Sequence, residues 1–339
     1  MRQILTAICE NDKIAESEFL LRELGIKLKK IHPKKVRPQN KNIIVSNQPK
    51  IWESFLFEAK PKSTIFILIG NETYNPEIYL KLNSIPAINI VLMHNPPRKN
   101  RIIGLSSVLG FILDSPSSLF NHKFYRTCKN SIDFAIKTRR VMNEINYKFL
   151  ELPYGYSNRF IIELKRLKLI NKSDGKSLLK YNFPTIKELN SEGISFTGSI
   201  NSWVRQRLIR KAQKKHRFSI YIMKSWGQPV NKNQTIYVES ILDSVGVLHL
   251  PGHVTNCRSY RYFETILLNR IPICPPFNVQ DHHYSKFWTE IISNNLIKWS
   301  YFKLASMVLE MNLEELQKII NKNKLEFKME IATIIQTIK

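Results

Sequence analysis

The chain has 339 residues, 43 % of them hydrophobic and 23 % charged, which is the balance of a globular protein long enough for two domains and not that of a disordered chain. Its formal net charge is +25, from 52 Lys and Arg against 27 Asp and Glu, so the partners to expect are anionic: nucleic acid, acidic lipid or phosphorylated substrates. No apolar run nears the roughly 18 residues that cross a bilayer, and the four scattered cysteines, Cys9, Cys128, Cys257 and Cys274, supply neither a disulfide framework nor a zinc motif.

In chain order, apolar runs at residues 4–9, 43–46, 64–69 and 88–93 read as strands. An amphipathic helix is expected at 14–24, closed by Gly25, and a longer helical region at 116–145. The start reaches Glu10-Asn11-Asp12-Lys13 too quickly for a signal peptide, which predicts a cytoplasmic protein, peripheral to a membrane surface at most. A short strand at 149–152 stops at Pro153 and Gly155, and about forty polar, poorly periodic residues follow, so a domain junction is expected there. Alternation then restarts, with strands at 194–198, 218–224, 245–250 and 271–274 and helices at 203–215, 236–243 and 260–269. From about 302 onward the sequence is helical.

Strands alternating with helices predict an α/β protein with two Rossmann-like domains facing a cleft, at 1–152 and 153–305. A helical segment, 306–339, is expected to pack back on the first domain. No G-x-G-x-x-G follows the first strand and no G-x-x-x-x-G-K-[ST] occurs, which argues against a dinucleotide cofactor and a P-loop. Cys9 and Cys274, in apolar strands, read as core residues.

The stretch from Leu250 to Glu264 is a strand end, a Pro251-Gly252 turn, a polar loop and a helix for which Ser259 is the expected N-cap. Phe263, Ile266 and Leu267 would form its apolar face, with Arg261 and Glu264, at i and i+3, together on another. A helix N-terminus after a strand is an anion site. An arginine in its first turn adds a planar fork for phosphate oxygens, and a carboxylate one turn later can take a ribose diol. The alternative is an exposed Arg–Glu pair worth about 0.2–0.5 kcal/mol.

Ser259-x-Arg261-x-Phe263-Glu264, with Ile271-Pro272-Ile273 following, resembles the exostosin-like glycosyltransferases, whose hallmark is S-x-R-x-F-E-A-x-x-x-G-C-I-P-V. The eight-residue step from Glu264 to Pro272 matches. The helix led by Tyr237, the strand ending in Leu250-Pro251-Gly252, the segment Phe196-Thr197-Gly198 with Arg205 after it, and Leu152-Pro153-Tyr154 are similar to further family features in the same order. Thr265 and Asn269-Arg270 depart from the pattern, and nothing before Phe149 resembles it. The resemblance implies a GT-B enzyme that transfers a sugar from a nucleotide-sugar donor with inversion. It implies that Glu264 holds the ribose, that Arg261 and Arg205 hold the diphosphate, and that Gly198 lets backbone approach the phosphates. No metal is expected, because cations and a helix dipole would meet the leaving-group charge, and no D-x-D occurs.

Inverting transfer needs a base for the acceptor hydroxyl, a glycan or lipid-linked glycan. His94, after the strand at 88–93 and before Asn95-Pro96-Pro97, is the first candidate, with an ordinary loop histidine as the alternative, and Asp12 the second. His282 and His283 read as loop residues facing the cleft. Two basic clusters remain. Lys27, Lys29, Lys30, Lys34, Lys35, Arg37 and Lys41 lie in a Pro-containing stretch that reads either as a solvated face or as a site for anionic lipid headgroups. Arg207, Arg210, Lys211, Lys214, Lys215 and Arg217 accompany Arg205 and read as solvated surface. Three rival functions stay open: a basic nucleic-acid-binding protein, which lacks interleaved aromatics and known motifs here, a GT-B relative that binds carbohydrate without transfer, and a different GT-B chemistry such as nucleotide-sugar epimerisation, which needs no acceptor site.

Overall fold

A computed structural model describes residues 4–11, 13–69, 76–94, 111–123, scattered positions from 125 to 145, 148–171, 175–200, 202–223, 231–250, 259–274 and 300–339. Among the described residues, ten parallel strands form two sheets. The first contains β1 (Leu5–Cys9), β2 (Ile26–Lys30), β3 (Asn42–Ser46), β4 (Thr64–Leu68), β5 (Ile88–Met93) and β6 (Lys148–Glu151), in the order β2-β1-β3-β4-β5-β6. The second contains β7 (Ile194–Ser199), β8 (Phe218–Met223), β9 (Gly246–Leu248) and β10 (Ile271–Ile273), in the order β10-β9-β7-β8. Buried parallel strands have both faces covered, so they read as continuous apolar runs. Asn-Ile-Ile-Val-Ser of β3 and Thr-Ile-Phe-Ile-Leu of β4 are buried at every position.

The described helices are α1 (Ser17–Phe19), α2 (Glu53–Glu58), α3 (Pro76–Asn83), α4 (Asn158–Arg166), α5 (Trp203–Ala212), α6 (Asn231–Leu242), α7 (Tyr260–Leu267), α8 (Tyr301–Glu310) and α9 (Leu313–Ile338). The helix expected over 14–24 is shorter and irregular: α1 widens into a π-turn at Leu20–Leu24, which Gly25 ends in the left-handed region at φ 70°. Two elements lie where none was expected. Lys27, Lys29 and Lys30 belong to β2, an edge strand whose Ile26 and Leu28 face the core. Within the segment read as poorly periodic, α4 starts at Ser157, whose side chain caps Phe160 N at 3.3 Å, and buries Phe160, Ile161 and Leu164.

One apolar cluster runs from the β1 face of the first sheet to both faces of the second, and a smaller one, around Trp52, Phe55 and Phe66, fills the other face of the first. Cys9 and Cys274 are fully buried in the larger cluster. The C-terminal α9, set off by a capping box of Asn312 and Glu315, places Phe327 between Phe19 and Phe263, with ring centroids 6.5 and 4.7 Å away. It thereby touches both the turn after β1 and α7, and each such buried ring contributes about 1.5–3 kcal/mol. Among the described residues no helix is long and apolar enough to cross a membrane.

Candidate anion-binding site

Strand order reverses on either side of β7: β8 pairs on one edge, and the chain then returns to place β9 on the other. Open α/β sheets bind ligands at such a reversal, beyond the carboxyl ends of the strands. Two helices begin there. In α5, Ser202 is the N-cap and accepts from Arg205 N at 3.1 Å, which puts Arg205 in the first turn. In α7, Arg261 is the second residue, and Ser259 occupies the N-cap position without a side-chain capping bond.

Both guanidinium groups turn onto the strand ends. Arg205 donates from Nη1 to Ser199 O at 3.1 Å and from Nη2 to Leu250 O at 2.9 Å. Arg261 donates from Nη2 to Thr197 O at 2.8 Å. The ring of Phe196 lies under both, 4.8 Å from the Arg261 guanidinium carbon and 5.9 Å from that of Arg205. Arg261 is only 7 % exposed, its Nε has no hydrogen-bond partner, and no carboxylate among the described residues pairs with it. Burial pushes its guanidinium below the ordinary arginine value, with Tyr237 and Glu264 pulling the other way. A buried cation without an ion-pair partner is costly, and an anion at the strand ends would relieve that cost.

Gly198 adjoins one of these guanidinium groups. A Cβ built there would lie 2.5 Å from Arg261 Nη2, so the missing side chain makes room for the guanidinium itself.

Glu264 is 1 % exposed and does not form the surface pair with Arg261 that spacing allowed. Its Oε1 accepts from Ser157 N and Ser157 Oγ, both at 3.0 Å, and its Oε2 from Tyr237 Oη at 2.7 Å. Burial raises its carboxyl above the usual range, and these three donors pull it back. Glu264 thus ties α7 to the start of α4 and to α6, while a carboxylate's roughly four lone-pair sites leave it one acceptor direction.

His94 ends up buried, not displayed on a loop. Its Nδ1 donates to Leu152 O at 2.8 Å, its ring stacks on Tyr154 at 3.7 Å, and its Nε2 is buried without a hydrogen-bond partner. That tautomer leaves a lone pair on Nε2, 3.9 Å from Glu16 Oε1. Burial pushes the imidazole down to about 4, against the pull of Leu152 O and Glu151, so it is neutral near pH 7. Burial also raises the Glu16 carboxyl, although the hydroxyl of Tyr260 donates to Oε1 and opposes the rise. Tyr260 is the first residue of α7, directly before Arg261. The carboxylate–imidazole pair after β1 and β5 and the guanidinium at the end of β7 are therefore joined through one helix start.

Glu16, Tyr260, Ser157 and Phe196 were not singled out as site residues from sequence; Ser157 carried a signal as a cap before an amphipathic run, and Phe196 as part of the Phe196-Thr197-Gly198 segment. Asp12 lies outside the described residues, as do the loop 251–258 and His282 and His283. Among the described residues no group of His, Cys, Asp and Glu is arranged to hold a metal.

No protein family, curated protein or solved structure matches the chain. What the site can do follows from its own geometry: two guanidinium forks and two helix starts suit a diphosphate, and a neighbouring carboxylate of raised pKa suits proton acceptance.

Proposed function

We propose that the chain is a glycosyltransferase of GT-B type that moves a sugar from a nucleotide-sugar donor to a hydroxyl of a glycan or lipid-linked glycan, with inversion and without a metal. The observation that carries this reading is the convergence of Arg205 and Arg261 on the carboxyl ends of β7 and β9, over the ring of Phe196. The likeness of the Ser259–Pro272 segment to the exostosin-like enzymes points the same way.

In this mechanism the guanidinium groups and the α7 start meet the diphosphate, whose charge grows as the glycosidic bond to the nucleotide breaks. Glu264 uses its remaining acceptor direction for the ribose. Glu16 takes the proton of the attacking hydroxyl, because burial lifts its carboxyl toward the range of a general base. His94, with a pKa of about 4, stays neutral with its Nε2 3.9 Å from Glu16 Oε1, a place beside the base instead of the base role read from sequence. The test is acceptor-dependent release of nucleoside diphosphate from a panel of nucleotide sugars in EDTA. Glu16→Gln should abolish release while leaving diphosphate affinity within about twofold. Release that proceeds unchanged in Glu16→Gln removes the carboxylate from the mechanism, and release that appears only with Mn²⁺ removes the metal-free donor site.

A further inference from the structure

The basic segment after the first helical turn has no part in the site above. Between Glu23 and Glu53 the sequence contains no Asp or Glu, and between Phe19 and Trp52 no Phe, Tyr or Trp. Part of this segment is β2, at the edge of the first sheet. In the parallel register Lys27 lies beside Thr6 and Lys29 beside Ile8, and Thr6, Lys27 and Lys29 are exposed. Parallel sheets are ordinarily covered on both faces, so this corner lacks its cover among the described residues.

The loop after β2 is shaped, not loose. Ile31 N donates to Cys9 O at 3.0 Å, the His32 ring caps the 3₁₀ turn Pro33–Lys35, and Gln39 and Asn42 exchange hydrogen bonds at 3.1 and 3.0 Å. The loop and β1 enclose a cavity of about 330 Å³, within the size range of small-ligand sites. Its floor includes Ile8, Ile31 and Val36, and its rim Lys35, Arg37 and Lys41. The Lys41 ammonium is held by the last carbonyls of α9, at Ile338 O and Lys339 O. Lys35 and Arg37 are exposed at the mouth.

We propose that this corner of the first sheet is a membrane-docking site that takes one anionic phospholipid, its phosphate between Lys35 and Arg37 and the upper part of an acyl chain on Ile8, Ile31 and Val36. Charge complementarity selects an anion, and the apolar floor selects an amphiphile over free phosphate. Absence of stacking rings disfavours single-stranded nucleic acid, which binds through base–aromatic contacts. Juxtamembrane Lys and Arg each add about a factor of five in affinity for an anionic leaflet.

The experiment is co-sedimentation of the full chain, at near-physiological salt, with vesicles of phosphatidylcholine alone or of equimolar phosphatidylcholine and phosphatidylglycerol. The wild type should sediment with the anionic vesicles only. Lys35→Gln/Arg37→Gln should weaken partitioning roughly thirtyfold, while Lys187→Gln/Lys214→Gln, an equal loss of charge at other exposed positions, should change it no more than about twofold. Short-chain phosphatidylglycerol should compete with the vesicles, and inorganic phosphate should not. Equal weakening in both double variants would reduce the effect to net charge and overturn the site. So would binding to neutral vesicles, or displacement of vesicles by RNA in preference to the short-chain lipid. The proposal is independent of sugar transfer: Lys35→Gln/Arg37→Gln should keep its nucleoside diphosphate affinity, so either reading can fail alone.

Discussion

Replacing Arg261 by Met separates a binding arginine from a structural one. The substitution keeps an unbranched apolar stem over Phe196 and removes the cation. In the free protein Arg261 makes one hydrogen bond, to Thr197 O, and carries the desolvation cost of a buried charge with no carboxylate partner. Removal forfeits about 1 kcal/mol of hydrogen bonding and recovers part of that cost, since apolar replacement of buried charges is often neutral or stabilising. Urea unfolding should therefore give a free-protein stability within about 1 kcal/mol of wild type, or higher. The ligated protein should behave oppositely. A guanidinium bonding a diphosphate supplies charged hydrogen bonds of about 1.5–3 kcal/mol, so calorimetry should show affinity falling by roughly 10- to 150-fold. A variant destabilised by more than about 3 kcal/mol that still binds diphosphate normally would refute the assignment and make Arg261 a structural residue.

Gly198→Ala should weaken diphosphate binding at least about tenfold in a folded protein, because its Cβ would displace the Arg261 guanidinium from 2.5 Å; unchanged affinity would show that the guanidinium need not sit there. Glu264→Gln should cost about 1.5–3 kcal/mol of stability, since it weakens the charged bonds to Ser157 and Tyr237; wild-type urea unfolding would mean that the carboxylate does not hold those donors. His94, neutral when folded with a pKa of about 4 against an ordinary 6.5, contributes stability present above pH 6.5 and lost as pH falls toward 4, about 3 kcal/mol in all. Glu16, raised by burial, acts in the opposite sense, losing its contribution as pH rises through its folded value. His94→Gln, which keeps a donor for Leu152 O, should flatten the acid limb by about one proton in urea unfolding at a series of pH values, and parallel curves would contradict the buried neutral imidazole.

Strands whose both faces are covered were legible in the sequence, because Ile43–Val45 of β3, Ile65–Leu68 of β4 and Ile90–Met93 of β5 are apolar throughout. Strand β2 was hidden by composition: its alternation of Ile26 and Leu28 with Lys27 and Lys29 is that of a half-exposed edge, and its lysines merged with the Lys- and Pro-rich loop that follows. Helix α4 was obscured because it is short and its buried stripe, Phe160, Ile161 and Leu164, is mixed with exposed Ile162 and with Arg159, Glu163, Lys165 and Arg166. Arg261 and Glu264 were marked by their spacing and family likeness. Their partners carried no local signal: a guanidinium on Thr197 O crosses 64 residues, and His94 meets Glu16 across the span from β1 to β5. Burial also decides what spacing cannot, since the same i, i+3 pair that would bond on an exposed helix here sends its arginine to a strand end and its carboxylate to Ser157 and Tyr237.

The most direct measurement is isothermal titration of the purified chain, in EDTA, with nucleoside diphosphates, their monophosphates and the bare nucleosides. The arrangement of Arg205 and Arg261 predicts one site for a diphosphate, with the monophosphate weaker by roughly tenfold or more and the diphosphate weakened by roughly 10- to 150-fold in Arg261→Met. No heat or competition from any diphosphate or nucleotide sugar up to about 1 mM, a binding free energy of only about −4 kcal/mol, would contradict a donor site at the carboxyl ends of β7 and β9.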